Sequence, residues 1–484
     1  MDVLLKKPFV RVNPPSADAT PISMLDKQPV YENDITFKQV SQGLFMTEFH
    51  PSGHKINSEI FYPNKITYDE EKKRFFTQNI QRVAVPLQQV ITTQQLVHLT
   101  SNDINIELTE SNPSESDVNN LFLIKKGWLD KNMETAFYEL ARSVKVTGDG
   151  ALCFFLNDKK IGVKALSFCK GDTLFPHYDD FGNLEVFARR YAMANDDGET
   201  LNFVEVYTKS HFYLFQQDHT STSDEIADSF GLGGYSFVES KPHGFNVVPI
   251  VYVRDNGPCW EQVQSLIEDY ELALSYLAQN NMAYAFPIML LSGDDIHIEG
   301  DIYGRVKGIT MSADSKVSYL ERGNGTDSFR LQLETLLHDI FLGSYIVKPP
   351  EPKSGDLPGV AIKLIYAPSL DKAIIDCKFF DRAIDEMLRL FLYGYGIEMG
   401  KTTEFLNLGI IAWAEPYVHQ NTAEFINNLA IAVNSKFLSN ETASELSGLG
   451  KNGEINKIRS DYEFFNNKTD DNDKSNGSNS LNLE

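Results

Sequence analysis

The sequence predicts an α+β protein, and three observations carry that reading. From Ala151 to about Val253, short runs rich in Val, Phe and Tyr alternate with turn signals. Before and after that region, apolar residues recur at helical spacing. A long amphipathic stretch from Trp260 to about Ala283 is followed by a small β-textured insert and two further helix signals.

The 484 residues carry 44 Lys and Arg against 67 Asp and Glu, a formal net charge of −23. Hydrophobic residues make up 42% of the chain, enough for a sizeable core. The charge excludes a protein that grips nucleic acid by a basic face, because a chain this acidic repels a phosphate backbone on average. Cys153, Cys169, Cys259 and Cys377 are far apart and form no CxxC or Cys/His cluster, so neither a disulfide framework nor a structural zinc site is expected. The stretch MDVLLKKPFVRV has no apolar core long enough for a signal peptide. The longest apolar run, Met282 to Leu291, holds Pro287 and falls short of the ~20 residues of a spanning helix.

Along the chain, Pro8, Pro14, Pro15, Pro21 and Pro29 make an arm of roughly the first 35 residues. The segment from Arg82 through Leu96 has no clean period and stays unassigned. Thr109 to Asp117 reads as a polar loop. One helix follows, with Leu121, Ile124, Trp128, Leu129, Met133, Ala136, Phe137, Leu140 and Ala141 in register and Gly148 and Gly150 as its stop. The strand candidates are Ala151–Leu156, Lys164–Phe168, Leu184–Arg190, Phe203–Tyr207, His211–Gln216 and Val247–Val253. Asn256-Gly257-Pro258 ends the β region. After the long helix, the insert spans Ile288 to Arg322, a helix spans Asp327 to Ile340, and a Pro/Gly-rich loop runs from Val347 to Gly359. A third long helix covers Ser369 to Phe391, Asn407–Ala414 reads as a strand, and Glu424–Leu438 as an amphipathic helix before an Asn440-Glu-Thr cap. The Asn-, Ser- and Asp-rich end from Asn466 to Glu484 is expected to be disordered.

Candidate chemistry is thin. Gly394-Tyr-Gly-Ile-Glu-Met-Gly400-Lys401-Thr402 comes near a phosphate-binding P-loop, but Tyr395 stands at the first required glycine. A helix rather than a strand leads into it, and the plainer reading is a helix end closed by Gly394 and Gly396. The cluster at Gly231 to Gly234 reads as a surface turn. Asp294, Asp295, His297 and Glu299 could hold a divalent metal, although adjacent Asp residues in turns more often bond their own backbone. No GxSxG, no HExxH and no nucleophile beside a base is present. Two long helices around a small insert, beside a Pro/Gly loop, suggest an assembly component.

The second half resembles the portal, or head-to-tail connector, proteins of tailed double-stranded DNA bacteriophages. The stretch from Val248 to Gly257 is similar to the strand those proteins place before their stem, and Val263, Leu266, Ile267, Tyr270 and Ser275 fall on positions of their first stem helix. Glu268 stands where the family usually has Asp, and Asn280 comes one residue late. The resemblance covers about Ala136 to Arg459 and implies a portal-type fold. Its expected parts are an N-terminal arm (1–35), an α/β wing (36–255), a first stem helix (256–287), a small β-containing clip (288–323) and a second stem helix (324–343). A tunnel loop (344–360), a long helix returning to the wing (361–420), a helical crown (421–465) and the tail (466–484) complete it.

The same resemblance implies a non-enzymatic ring of about twelve subunits without a cofactor. Such a ring sits at one capsid vertex of the virion, after assembly in the host cytoplasm, and has no membrane partner. Its expected partners are further copies of itself, the terminase large subunit, the major capsid protein, a head–tail adaptor and double-stranded DNA that passes without sequence recognition. Lys348, Pro349, Pro350, Lys353, Gly355 and Gly359 would form the DNA-facing loop, stiffened by proline and hinged at glycine. Asp294, Asp295, His297, Arg305 and Lys307 would lie in the clip. Trp260, Val263, Leu266, Ile267, Tyr270, Leu336 and Ile340 would pack the stem, with the apolar stripe of each helix able to meet a neighbour's helix.

Overall fold

The computed structural model describes residues 41–69, 73–110, 112–194, 200–217, 224–283, 289–292, 297–300, 306–310, 316–319, 326–348, 359–418 and 422–447. The arm and the tail named above lie outside these. Helix α1 covers 41–49 among them. It is followed by strands β1 (Lys65–Asp69) and β2 (Arg74–Gln78), helix α2 (Leu87–Thr100), β3 (Asn105–Leu108), α3 (Glu115–Asp130) and α4 (Met133–Thr147). The β region comprises β4 (Asp149–Asn157), β5 (Lys160–Leu166), β6 (Thr173–Tyr178), β7 (Leu184–Ala194), β8 (Thr200–Tyr207), β9 (His211–Gln217), α5 (Glu225–Phe230), β10 (Tyr235–Pro242) and β11 (Ile250–Arg254). Then come α6 (Gln264–Ala283), β12 (Met289–Ser292), β13 (His297–Gly300), β14 (Val306–Thr310), β15 (Lys316–Tyr319), α7 (Thr326–Gly343) and α8 (Gly359–Ile365). The chain continues through α9 (Ala367–Met399), α10 (Thr402–Asn407), β16 (Ile410–Trp413), α11 (Thr422–Asn434) and α12 (Asn440–Leu446). It divides into two compact units, 1–348 with 368–417, and 349–367 with 418–484.

In the larger unit, β4 is the hinge of the core. It is the middle strand of the sheet β11-β4-β5. Successive side chains of a strand point to opposite faces. Leu152 and Phe154 therefore join a cluster with Phe137, Leu140 and Val144 of α4 and Phe380, Ile384 and Phe391 of α9. Ala151 and Cys153 join the opposite cluster, with Leu174, Phe187 and Tyr207 of the second sheet. That second sheet is an antiparallel meander, β10-β9-β8-β7-β6, with α5 packing Ala227 and Phe230 against Phe215. Between these layers, Arg189 ties Asp172 (2.7 Å) to Glu205 (3.2 Å), so a half-buried cation is paired twice. In the smaller unit, α11 and α12 are joined through a turn that Ser439 caps by accepting from the Thr442 amide.

The single helix expected from 121 onward is two helices. Lys131 and Asn132 end the first with backbone bonds to Gly127 and Leu129, and Asn132 takes a left-handed conformation (φ 55°), which Asn tolerates well. The break lets Trp128 Nε1 donate to Glu134 Oε1 at 2.6 Å. The loop expected to reach Asp117 stops earlier, because Ser114 and Asp117 form a reciprocal capping box at the start of α3. The unassigned segment becomes α2. Its period is hidden because it buries Gln88, Thr92, Gln95 and His98; the amide nitrogens of the two glutamines are bonded, Gln95 Nε2 to the Ser344 carbonyl at 3.0 Å and Gln88 Nε2 to Gln264 Oε1 at 3.0 Å.

The glycine reading at 394–396 is also corrected. Both residues lie inside α9, a 33-residue helix. Gly400 (φ 69°) ends it instead, with Lys401 N–H bonding the Gly396 carbonyl at 2.8 Å and Gly400 N–H the Ile397 carbonyl at 3.4 Å. That is the paired bonding of a Schellman cap. Gly394 and Gly396 serve close approach: a Cβ at Gly394 would strike Ile161, and one at Gly396 would sit 2.6 Å from Thr402 Cα.

Candidate functional site

The elements expected to form a stem are α6 and α7. Trp260, Val263, Ile267 and Ile340 are buried with Phe49, Leu87, Ile91, Val146 and Ile346, while Leu266 and Tyr270 are partly buried against them. Leu336 is half-buried. Six of the seven residues expected to pack a stem thus share one cluster, which Leu336 does not join. Their stripe, however, packs on the partner helix and on α1 and α2 of the same chain. The surfaces left for a neighbour are other faces.

Trp260 anchors this root. Its ring stacks on Phe49 at 5.6 Å, and its Nε1 donates to Glu48 Oε2 at 3.1 Å. Burial pushes the Glu48 carboxyl above its ordinary range, against the lowering effect of the Trp260 bond. Lys55 bonds Glu268 of α6 at 2.8 Å, and that bond holds its ammonium above the usual lysine range.

Sequence reasoning missed the contact that fixes α6 along its length. The extended segment before α2 runs antiparallel beside the helix. Its alternate amides donate to side chains one turn apart: Gln81 to Gln279 Oε1 (3.2 Å), Val83 to Ser275 Oγ (2.9 Å) and Val85 to Glu271 Oε1 (2.7 Å). The match is geometric, since two extended residues advance about 6.6 Å and four helical residues about 6 Å. Glu271, 1% exposed, also bonds His54 Nδ1 at 2.6 Å, and His54 Nε2 lies 2.7 Å from the Glu48 carbonyl. Polar residues spaced by four on α6 were the available signal, but their backbone partners leave no trace in side-chain pattern.

Between the two helices, β12 pairs with β15 and β13 with β14, a nested antiparallel arrangement. His297 sits in β13 opposite Thr310, and Lys307 falls at the register shift in β14. Asp294, Asp295 and Arg305 lie outside the described residues. Among the described residues, no group of three or more His, Cys, Asp or Glu could hold a metal. Lys348 is exposed at the end of the described segment after α7, while Pro349, Pro350, Lys353 and Gly355 lie outside it. Gly359, expected as a loop hinge, opens helix α8.

The near P-loop has a different role. Tyr395 is sandwiched between Phe391 (5.3 Å) and Phe405 (5.9 Å) in the core. Lys401 Nζ is held by Asn120 Oδ1 at 3.1 Å and Glu404 Oε2 at 3.2 Å. A helix, α9, rather than a strand leads into this turn, so the strand–loop–helix setting of a phosphate-binding loop is missing. Among the described residues, no helix is long and apolar enough to cross a membrane.

A mixed α/β body, carrying two helices that flank nested strand pairs with a long helix beyond, is the class of architecture in hand. The family model described as phage portal protein, SPP1 Gp6-like, matches residues 51–463. The chain belongs to that family of phage portal proteins. No curated protein matches it. Among solved structures, 94 chains match. One is the neck of an empty GTA particle computed with C6 symmetry, at 11% identity and a TM-score of 0.36, covering 75% of this chain and 90% of that one.

Proposed function

We propose that this chain is the portal subunit of a tailed phage or phage-like particle. Copies close into a ring at one capsid vertex, and the ring is the conduit for double-stranded DNA during packaging and ejection. It acts as a structural channel and docking platform rather than as an enzyme. The terminase large subunit and later a head–tail adaptor dock on it, and the major capsid protein surrounds it. In this reading 256–287 and 324–343 are the stem, 288–323 the clip, 344–360 the tunnel loop and 421–465 the crown.

The observation that carries the proposal is the order helix, nested strand pairs, helix, Pro/Gly segment, long helix within a chain of the portal family. The net charge of −23 supports it, since a conduit dominated by acid releases few counterions on contact and lets DNA slide. Lys348 and Lys353 of the loop, and Arg305 and Lys307 of the clip, would supply the weak phosphate contacts. The test is the mass of the purified 54.7 kDa chain by light scattering after gel filtration, with negative-stain images of the peak. A homogeneous ring with a central hole is the expected result. A small fixed oligomer that binds nucleotide would overturn it.

A further inference from the structure

The hairpin β1–β2 leaves an apolar face in solvent. Tyr68 lies opposite Phe75 in the antiparallel register, and Ile66, two residues earlier, shares their face. The three are 48, 72 and 68% exposed, respectively. An isolated two-stranded hairpin is marginal in water, so a face like this needs a cover. Its base is anchored, because Arg82 Nη2 donates to the Tyr62 carbonyl (2.9 Å) and Asn64 Oδ1 (3.0 Å) just before the zippered segment begins on α6.

A second uncovered surface lies on α7. Leu331, Thr335, His338 and Leu342 are all exposed and fall on one stripe of the helix. At about 100° per residue the stripe is centred diametrically opposite Ile340, the residue that packs against α6. It contains no Asp, Glu, Lys or Arg. Residues 65–78 hold four Lys or Arg against three acids, whereas 326–343 hold one Arg against three acids. Copies with a net charge of −23 repel each other broadly, so they meet most readily where an apolar face and opposite local charge coincide.

We propose that the Ile66–Tyr68–Phe75 face of one chain seats on the Leu331–Leu342 stripe of α7 in a second copy. The hairpin is attached beside α6 and the stripe is on the far side of α7. One copy therefore offers both halves of a head-to-tail contact and cannot satisfy itself, which is the geometry that closes rings. The inference rests on the ring reading above and specifies which surfaces make it.

The test uses the full chain with Phe75→Asp or Leu342→Asp, both at exposed positions, with circular dichroism and thermal melting confirming the fold. Tyr68→Ser serves as a milder second hairpin variant. Each variant alone is expected to need at least tenfold more protein for half assembly by light scattering. A mixture of the Phe75→Asp and Leu342→Asp chains is expected to form a two-chain species at concentrations where each alone is single, because one intact half remains on each. Rings from the hairpin variants at wild-type concentration, or no two-chain species in the mixture, would overturn the pairing and leave the ring reading standing. A wild-type chain that stays single at every concentration would overturn the ring reading itself.

Discussion

Asp376→Ala tests the fold at a buried ion pair. Asp376 and Lys145 are each 3% exposed, and their side chains meet at 2.6 Å where α9 crosses α4. Lys372 bonds the other carboxylate oxygen at 2.5 Å from a more open position. Burial pulls the Lys145 ammonium below the ordinary lysine range, against the attraction of Asp376. Removing the carboxylate strips Lys145 of its counter-charge in a buried site with a second cation beside it. Breaking a buried pair in this way costs about 3–5 kcal/mol. That is roughly two to four decades in the opening equilibrium of the region. A chain of this size has no single unfolding free energy, so the readout is hydrogen exchange of the α4 and α9 amides. Those amides should lose protection by that factor in Asp376→Ala. They should regain most of it in the double variant Lys145→Met/Asp376→Leu, which replaces the pair by apolar groups. Protection within about 1 kcal/mol of wild type in the single variant would refute the view that this pair is desolvated.

Other outcomes are expected from the same reasoning. Glu271→Ala orphans the Val85 amide and the buried His54 ring at about 1–3 kcal/mol each, and should raise exchange at Val83 and Val85; unchanged exchange there would contradict the zipper. Gly127→Ala drives a methyl into the Tyr395 ring, which Phe391 and Phe405 hold from both sides. Overpacking of about 1–3 kcal/mol should appear as a lower melting midpoint. Cys153 and Cys259, pushed up to about 11 by burial, stay almost wholly protonated at pH 8. Iodoacetamide should leave them unmodified in the native protein, and mass spectrometry would detect the contrary. Deleting 353–357 should preserve ring formation while impairing DNA retention in packaged particles, and a product unable to assemble would sink the loop assignment.

Six strands of the β region were legible because runs such as Val186-Phe187-Ala188 and Ile250-Val251 are continuously apolar, as strands covered on both faces are, whereas β6, which carries Pro176, and β10, which is largely exposed, were missed. The long helices were legible from their stripes. The α3–α4 break was not, because both halves keep the same helical period across Asn132, and only the left-handed backbone there separates them. Helix α2 was hidden by its buried Gln88, Thr92 and Gln95, which look like surface until their partners are known. The Gly394-Tyr-Gly396 run showed that glycines were needed but not why. Turn, phosphate cradle and close helix contact ask for the same residue, and only Ile161 and Thr402 lying against them decide among the three. On α6 and α7 the apolar stripe was readable and its direction was not, since an amphipathic stripe does not say whether the helix it meets belongs to its own chain.

The amides of Gln81, Val83 and Val85 act on α6 as a vernier acts on a scale. The two rulers differ by about 0.6 Å per division, extended chain against helix, so a few marks coincide before they drift apart. Small axial creep of the helix would misalign every mark at once, and the next coincidence lies a full turn away. The position of α6 along its own axis is therefore indexed in whole turns rather than continuously adjustable. Any force that pushes on this helix end-on would be resisted until it is large enough to skip a tooth.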